Sequence, residues 1–205
     1  MNDSRQDSSS DDDDNFPDTR RSSKQLKKAL TEKSQWSAFE KTNSKFVANG
    51  VVEKIIDEQA IKASLIEDPS LEEPDLIPFI LNHARKAFAV AILAGANTNT
   101  AMRWLKKNKI DDSKLPIRQQ NHPWNKPTSW RSDFYDKQWM LFAPTFSTAI
   151  QHVDVGTVQF TTDRLYELEE AHILPFIEKS TETGEGSFGQ VTKYVLHKDH
   201  IDPVS

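Results

Sequence analysis

Three of the six glycines in this 205-residue chain fall within six positions, in the string Gly184-Glu185-Gly186-Ser187-Phe188-Gly189-Gln190-Val191. A backbone that lays its N–H groups against phosphate oxygens cannot carry side chains at the points of closest approach, and glycine alone also accepts positive φ freely. The spacing therefore predicts a loop that cradles the phosphates of a nucleotide through main-chain amides. Gly184, Glu185, Gly186, Ser187, Phe188, Gly189 and Val191 are the candidate nucleotide-binding residues, with Phe188 closing the loop tip and Val191 covering the face of a base.

The same G-x-G-x-x-G string occurs in dinucleotide-binding βαβ units, where the loop must open a helix and reach an acidic residue about 20 positions later. Here the following run, Val191-Thr192-Lys193-Tyr194-Val195-Leu196-His197, is β-branched and aromatic and favours a strand. Only 16 residues follow Gly189, which leaves no room for the ribose-binding acid. On the approach side, Leu174-Pro175-Phe176-Ile177-Glu178-Lys179-Ser180 reads as extended. From Ile173 to Val195 the pattern of strand, glycine turn and strand resembles the first two strands of the small lobe of a serine/threonine-type protein kinase. Thr183 stands where that family usually places an aliphatic residue. Two further strings, Asp111-Asp112-Ser113-Lys114-Leu115-Pro116 and Gln138-Trp139-Met140-Leu141-Phe142-Ala143-Pro144, resemble the region ahead of the kinase domain in kinase-domain proteins of filamentous fungi.

The resemblance implies ATP with magnesium as the nucleotide of the complete kinase. It also defines what this chain lacks. Kinase chemistry needs a third-strand Lys paired with a helix Glu, an H-R-D-type loop with its Asp and Asn, and a D-F-G Asp for magnesium, and none of these motifs occurs in the sequence. Lys193 lies two residues after Val191, on the second strand, and is not assigned the catalytic role. The chain alone is therefore expected to have no catalytic residues, to transfer no phosphate, and to read as the front of a kinase cut short after the glycine loop. A two-stranded hairpin is marginal in water without a floor, so ATP affinity is expected to be no better than about millimolar, about −4 kcal/mol. The competing reading is a non-enzymatic helical interaction or regulatory module, which would take a protein partner through its helices and carry the glycine loop as a vestige.

The elements that would position the loop give a mainly α fold class: a disordered acidic tail (1–24), an irregular helical region (25–145), a linker with a short hairpin (146–172), and a β-hairpin of kinase small-lobe type (173–205). The tail holds the charge asymmetry, since residues 1–20 contain seven Asp and two Arg while the whole chain carries a net charge of −5. Ser8, Ser9 and Ser10, each followed by acids, resemble acceptors for acid-directed protein kinases. In the helical region, Leu26, Leu30, Trp36, Phe39 and Phe46 read as apolar anchors of helical pieces, followed by short helices after Gly50 and at Gln59–Leu65. Pro69, Pro74 and Pro78 with Glu72, Glu73 and Asp75 mark a break and a new start. One continuous core helix is predicted over Ile77–Ala94 and stopped by Gly95, then a helix over Thr98–Lys107 and another over Ser132–Leu141. A polar, proline-bearing loop runs to Pro127 ahead of that last helix, and Val153, Val155, Val158 and Phe160 alternate around Gly156 as a small hairpin.

Composition excludes several classes. With no Cys there is no disulfide framework and no Cys-based metal site. No stretch approaches 18 apolar residues and the amino end has no apolar signal core, so no membrane partner is expected and the compartment is expected to be intracellular, cytoplasmic or nuclear. No basic patch interleaved with aromatics points to nucleic acid. His197 and His200 are set on a strand and its exit, where period two would send them to opposite faces, and no metal site is expected from them.

Overall fold

The computed structural model describes residues 23–39, 44–65, 74–118, 129–148, 150–153, 157–160, 168–180, 184–186 and 189–203. The acidic residues 1–22, Pro69, Glu72, Glu73, Val155, Gly156, Thr183 and the end of the polar loop at Pro127 lie outside the described residues. Seven α-helices dominate what is described, accompanied by short two-stranded pairings, four antiparallel and one parallel.

Helix α1 (Ser23–Lys33) buries Leu26 and Leu30, four residues apart and so on one face. The predicted helical reading then gives way. Trp36 and Phe46 belong to strands β1 (Ser34–Trp36) and β2 (Lys45–Val47), which pair antiparallel, and Phe39 lies just beyond β1 outside any helix. The reason is the placement of partners, since Phe46 is fully buried against Trp139, Ala143 and Ile173, and the Val47 N–H donates to the Met140 carbonyl at 2.7 Å. Helices α2 (Val51–Ile55) and α3 (Glu58–Leu65) follow as expected, with Gly50 at φ 77 taking the left-handed turn into α2.

The predicted Ile77–Ala94 helix is two helices. Helix α4 (Leu76–His83) and α5 (Arg85–Leu93) meet at Ala84, where the chain turns through 101°. The apolar stripe of Ile80, Ala84, Ala87, Ala91 and Ala94 is buried throughout, so the periodicity identifies the core but not the break. The break is stabilised from a distance. Asp112 lies in a short 3-10 turn (Asp112–Lys114) and accepts hydrogen bonds from the Lys86 N–H at 2.9 Å and the Ala87 N–H at 2.8 Å, capping α5 where its own sequence offers no cap. Every residue from Ala87 to Leu93 is buried, and α1, α2, α4, α6 and α7 all pack around this one helix. At its other end the Ala96 N–H reaches the Ala91 carbonyl at 3.0 Å and Gly95 takes φ 69, closing the helix in a Schellman turn.

Helix α6 spans Thr98–Lys107, the predicted limits, with Ala101, Met102 and Leu105 buried and the Asn97 side chain capping Thr100. Thr98 and Asn99 hydrogen-bond the Ser64 and Leu65 carbonyls at 3.0 and 2.8 Å, satisfying the end of α3. Helix α7 is Ser129–Gln138, earlier than expected, so Trp139, Leu141 and Phe142 follow it rather than belong to it. It ends because Gln138 is turned inward, where its amide accepts from the Ile117 N–H at 2.7 Å and donates to the Ile117 carbonyl at 2.9 Å. Pro144 is not the stop.

No single helix among the described residues is long and apolar enough to cross a membrane; α4 and α5 would suffice only together, and they are sharply bent. The linker hairpin forms as β4 (Ile150–Val153) against β5 (Thr157–Phe160), and β3 (Phe146–Thr148) pairs elsewhere.

Truncating Phe88, fully buried in α5, to Ala should cost about 3–5 kcal/mol in urea unfolding. Burial pushes the Asp112 carboxyl up, against the backbone hydrogen bonds that pull it down. A raised folded value means that its contribution is full below about pH 3.9 and is lost as pH rises through the folded value, so the stability gap between wild type and Asp112→Asn should shrink from pH 3 to pH 7. A gap that widens with pH would instead show that the two backbone hydrogen bonds outweigh burial at this carboxyl.

Candidate nucleotide-binding hairpin

The glycine string lies in the second of two antiparallel strand pairs near the end of the described residues. Strand β6 (Phe176–Lys179) pairs antiparallel with β9 (Tyr194–Leu196), and the Ser180 N–H continues the ladder to the Lys193 carbonyl at 2.8 Å. Further along the same two arms, β7 (Gly184–Gly186) pairs antiparallel with β8 (Gly189–Val191) in the register Gly184↔Val191, Glu185↔Gln190 and Gly186↔Gly189. Directly opposite residues share a face, so Gly184, Gly186, Gly189 and Val191 fall on one face and Glu185 and Gln190 on the other. Three of the four positions on the first face have no side chain, which leaves the main chain open to close approach. Ser187 and Phe188, the two residues that link the arms, lie outside the described residues.

The floor that an isolated hairpin lacks is supplied by the chain after β1. The Ala38 N–H donates to the Phe176 carbonyl at 2.7 Å, and the Ser37 hydroxyl donates to the Leu174 carbonyl at 2.6 Å. Phe176 and Tyr194 stack across the hairpin at 5.0 Å between ring centroids, and Phe39 packs on both, at 6.1 and 5.8 Å. Aromatic pairs at these separations add about 0.5–1.5 kcal/mol each beyond area burial. A second, smaller core of Phe46, Ala48, Trp139, Ala143 and Ile173 joins the end of the helical region to the residues that enter the hairpin.

The exit of the hairpin corrects the expectation for its histidines. His197 and His200 come together, 5.9 Å apart, because the strand ends at Leu196 and a 3-10 turn (Lys198–His200) replaces period-two geometry. Both rings meet the edge or face of Phe46, at 5.8 and 5.5 Å. His197 Nδ1 accepts the Asp199 N–H at 3.2 Å and its Nε2 meets the Gln35 carboxamide at 3.2 Å. His200 is fully buried, with Nδ1 on the Pro144 carbonyl at 3.1 Å and Nε2 without a partner among the described residues. Among the described residues no three His, Asp or Glu side chains converge on a point that would hold a metal. Strand β10 (Ile201–Pro203) then runs parallel to β3, and the Asn49 side chain donates to the Asp199 carbonyl at 3.0 Å.

The structure thus brings Gly184, Glu185, Gly186, Gly189 and Val191 together on two paired arms. The supporting residues Ser37, Phe39, Phe46 and Gln35 were not legible as such, since each sits more than 130 positions from its partner and no local period announces the pairing. Described residues elsewhere line a surface cleft of about 720 Å³ between Asn108, Arg118 and His172, and another of about 450 Å³ between Lys27, Lys45 and Lys137. No family model, curated protein or solved structure matches this chain.

Replacing Phe39 by Ala should speed amide exchange at Tyr194–Leu196 by at least about tenfold, the equivalent of 1.4 kcal/mol, while α5 amides stay protected. Burial holds the His200 imidazole below the ordinary histidine value, with Lys86 and His197 pushing the same way and the Pro144 carbonyl and Asp199 opposing. A depressed folded value means stability that is full above about pH 6.5 and is lost as pH falls through the folded value. Wild-type stability should therefore fall between pH 6.5 and 5 more steeply than that of His200→Phe, measured by urea unfolding.

Proposed function

We propose that this chain carries the opening of an ATP-dependent serine/threonine-type protein kinase domain, set behind a helical region that seats its first hairpin. The observation that supports this reading is the register Gly184↔Val191 and Gly186↔Gly189, two antiparallel strands rather than a strand leading into a helix. A dinucleotide-binding loop requires the helix, because its pyrophosphate rests on the helix N-terminus. The paired arms instead set Gly186 opposite Gly189 and Gly184 opposite Val191.

In this reading Gly184, Glu185, Gly186, Ser187, Phe188, Gly189 and Val191 cover the phosphates and adenine of ATP. Magnesium and the transfer step need the third-strand Lys, the helix Glu, and the Asp and Asn groups that the 205 residues do not contain. Phosphoryl transfer relies on positioning and electrostatic stabilisation, so the chain by itself covers phosphates without moving them.

A second reading draws on a different observation. The main core runs continuously from Leu26 to Leu141 and needs no residue of the hairpin, which fits a helical region that folds as a unit and serves as an interaction or regulatory module.

Titration with ATP and magnesium should shift the Gly184, Gly186 and Gly189 amide resonances with a dissociation constant of about 1 mM or weaker. Gly186→Val should abolish those shifts while leaving the Phe176–Lys179 and Tyr194–Leu196 resonances in place. No shift in wild type at about tenfold that concentration would sink the nucleotide reading, and micromolar binding would show that these residues hold a complete site. An in-frame coding continuation bearing V-A-I-K-like and H-R-D-like strings is the expected genetic counterpart, and a continuation lacking both would overturn the kinase assignment.

A further inference from the structure

The cleft of about 450 Å³ lies between α1, the β1–β2 pair and α7. Its rim is basic. Lys27 comes from α1, Lys45 from β2 and Lys137 from α7, and Asp136 is the acid that lines the same cleft. Among the described residues, Lys27, Lys45 and Lys137 form no ion pair with a carboxylate. Met140, Leu93 and Ile173 give the cleft an apolar floor. At its mouth stands Trp36, 57% exposed, with the Lys45 ammonium 4.7 Å from its ring centroid. Three cations around an apolar floor with an exposed indole make a site for an extended acidic segment.

We propose that the occupant is the chain's own acidic N-terminal segment, with Asp11-Asp12-Asp13-Asp14 set against Lys27, Lys45 and Lys137. Charge complementarity is the first argument, because this segment holds the excess negative charge of the whole chain, seven Asp against two Arg in residues 1–20. Attachment is the second. The segment joins the fold at Ser23, the first residue of α1, and Lys27 is one helical turn further on, about 6 Å along the axis. From Asp14 to Ser23 the chain can extend up to about 30 Å, enough to reach all three lysines across the cleft.

Exposed ion pairs are individually weak and screened by salt, so a free acidic peptide would be held poorly. A tethered one meets the cleft at an effective concentration in the millimolar range, which favours the internal segment over an outside acidic partner. Ser8, Ser9 and Ser10 precede the four Asp, and phosphate on any of them would add about −1.5 to −2 charges beside the same lysines. Modification of these serines therefore tightens the docked state.

The absence of cysteine in the chain allows a single label. A nitroxide on Ser10→Cys in the full chain should broaden the Trp36 indole and the Lys27, Lys45 and Lys137 amides to less than half their diamagnetic intensity at low salt. The loss should largely reverse at about 1 M salt, where the screening length is about 3 Å. It should also reverse in Asp11–Asp14→Asn, a variant that touches no described residue, and in Lys27→Gln/Lys45→Gln/Lys137→Gln. Replacing Ser8 and Ser9 by Glu should deepen it. Unbroadened signals at low salt, broadening that survives either charge-removing variant, or broadening centred on Lys114 and Arg118 would overturn the proposal. So would broadening that appears only between chains, read by mixing labelled unenriched protein with unlabelled 15N-enriched protein, because that assigns the segment to a second copy.

Discussion

Burial of α5 on all sides is the constraint around which the helical region is arranged. A helix with an unbroken run of buried residues from Ala87 to Leu93 cannot use one amphipathic face to meet one neighbour, so it must be enclosed by α1, α2, α4, α6 and α7 together. Its alanines permit the close approach of those neighbours. Enclosure raises the cost of any unpaired backbone group at its ends. The two solutions differ: the C-terminal end is closed locally by Gly95, whereas the N-terminal end recruits a carboxylate from Asp112, some 25 residues away in sequence.

The hairpin depends on that enclosed unit in turn. Its base is stacked between Phe39, Phe176 and Tyr194, its entry is tied to Ser37 and Ala38, and its exit wraps His197 and His200 around Phe46. Phe46 is therefore the joint between the helical region and the candidate nucleotide loop. Its strand, β2, is also held by the Met140 carbonyl just past α7, so the position of the loop is referred back to the helices through a short series of packed groups. The arrangement leaves the glycine-bearing arms β7 and β8 at the far end from this anchorage.

Several elements could be read from residue order alone because the signals that specify them are local. Thr98–Lys107 has its Asn cap, its apolar period and its terminal lysines within one window, and Gly50 and Gly95 mark backbone turns that need positive φ. The alternation across Gly184–Val191 and the β-branched run after it indicate paired strands for the same reason. Where the expectation failed, the deciding partner was remote. The break at Ala84 needs Asp112, the end of α7 needs Ile117 to receive Gln138, and the strand state of Phe46 needs the niche formed by Trp139, Ala143 and Ile173. The two histidines meet because the strand period stops at Leu196, where a 3-10 turn takes over.

By itself, then, the order of residues determined the helices that follow Gly50 and Asn97, the extended arms around the glycine string, and which glycines turn the backbone. All of these follow from steric freedom and periodicity within a few neighbours. The tertiary structure alone decided where a continuous apolar stripe is divided, which side chains cap the ends it creates, and what floor lies under the hairpin. Those outcomes depend on pairings between residues 25 or 26 apart at the helix break and 137 apart under the hairpin, whose free energy arises only when burial brings the partners together.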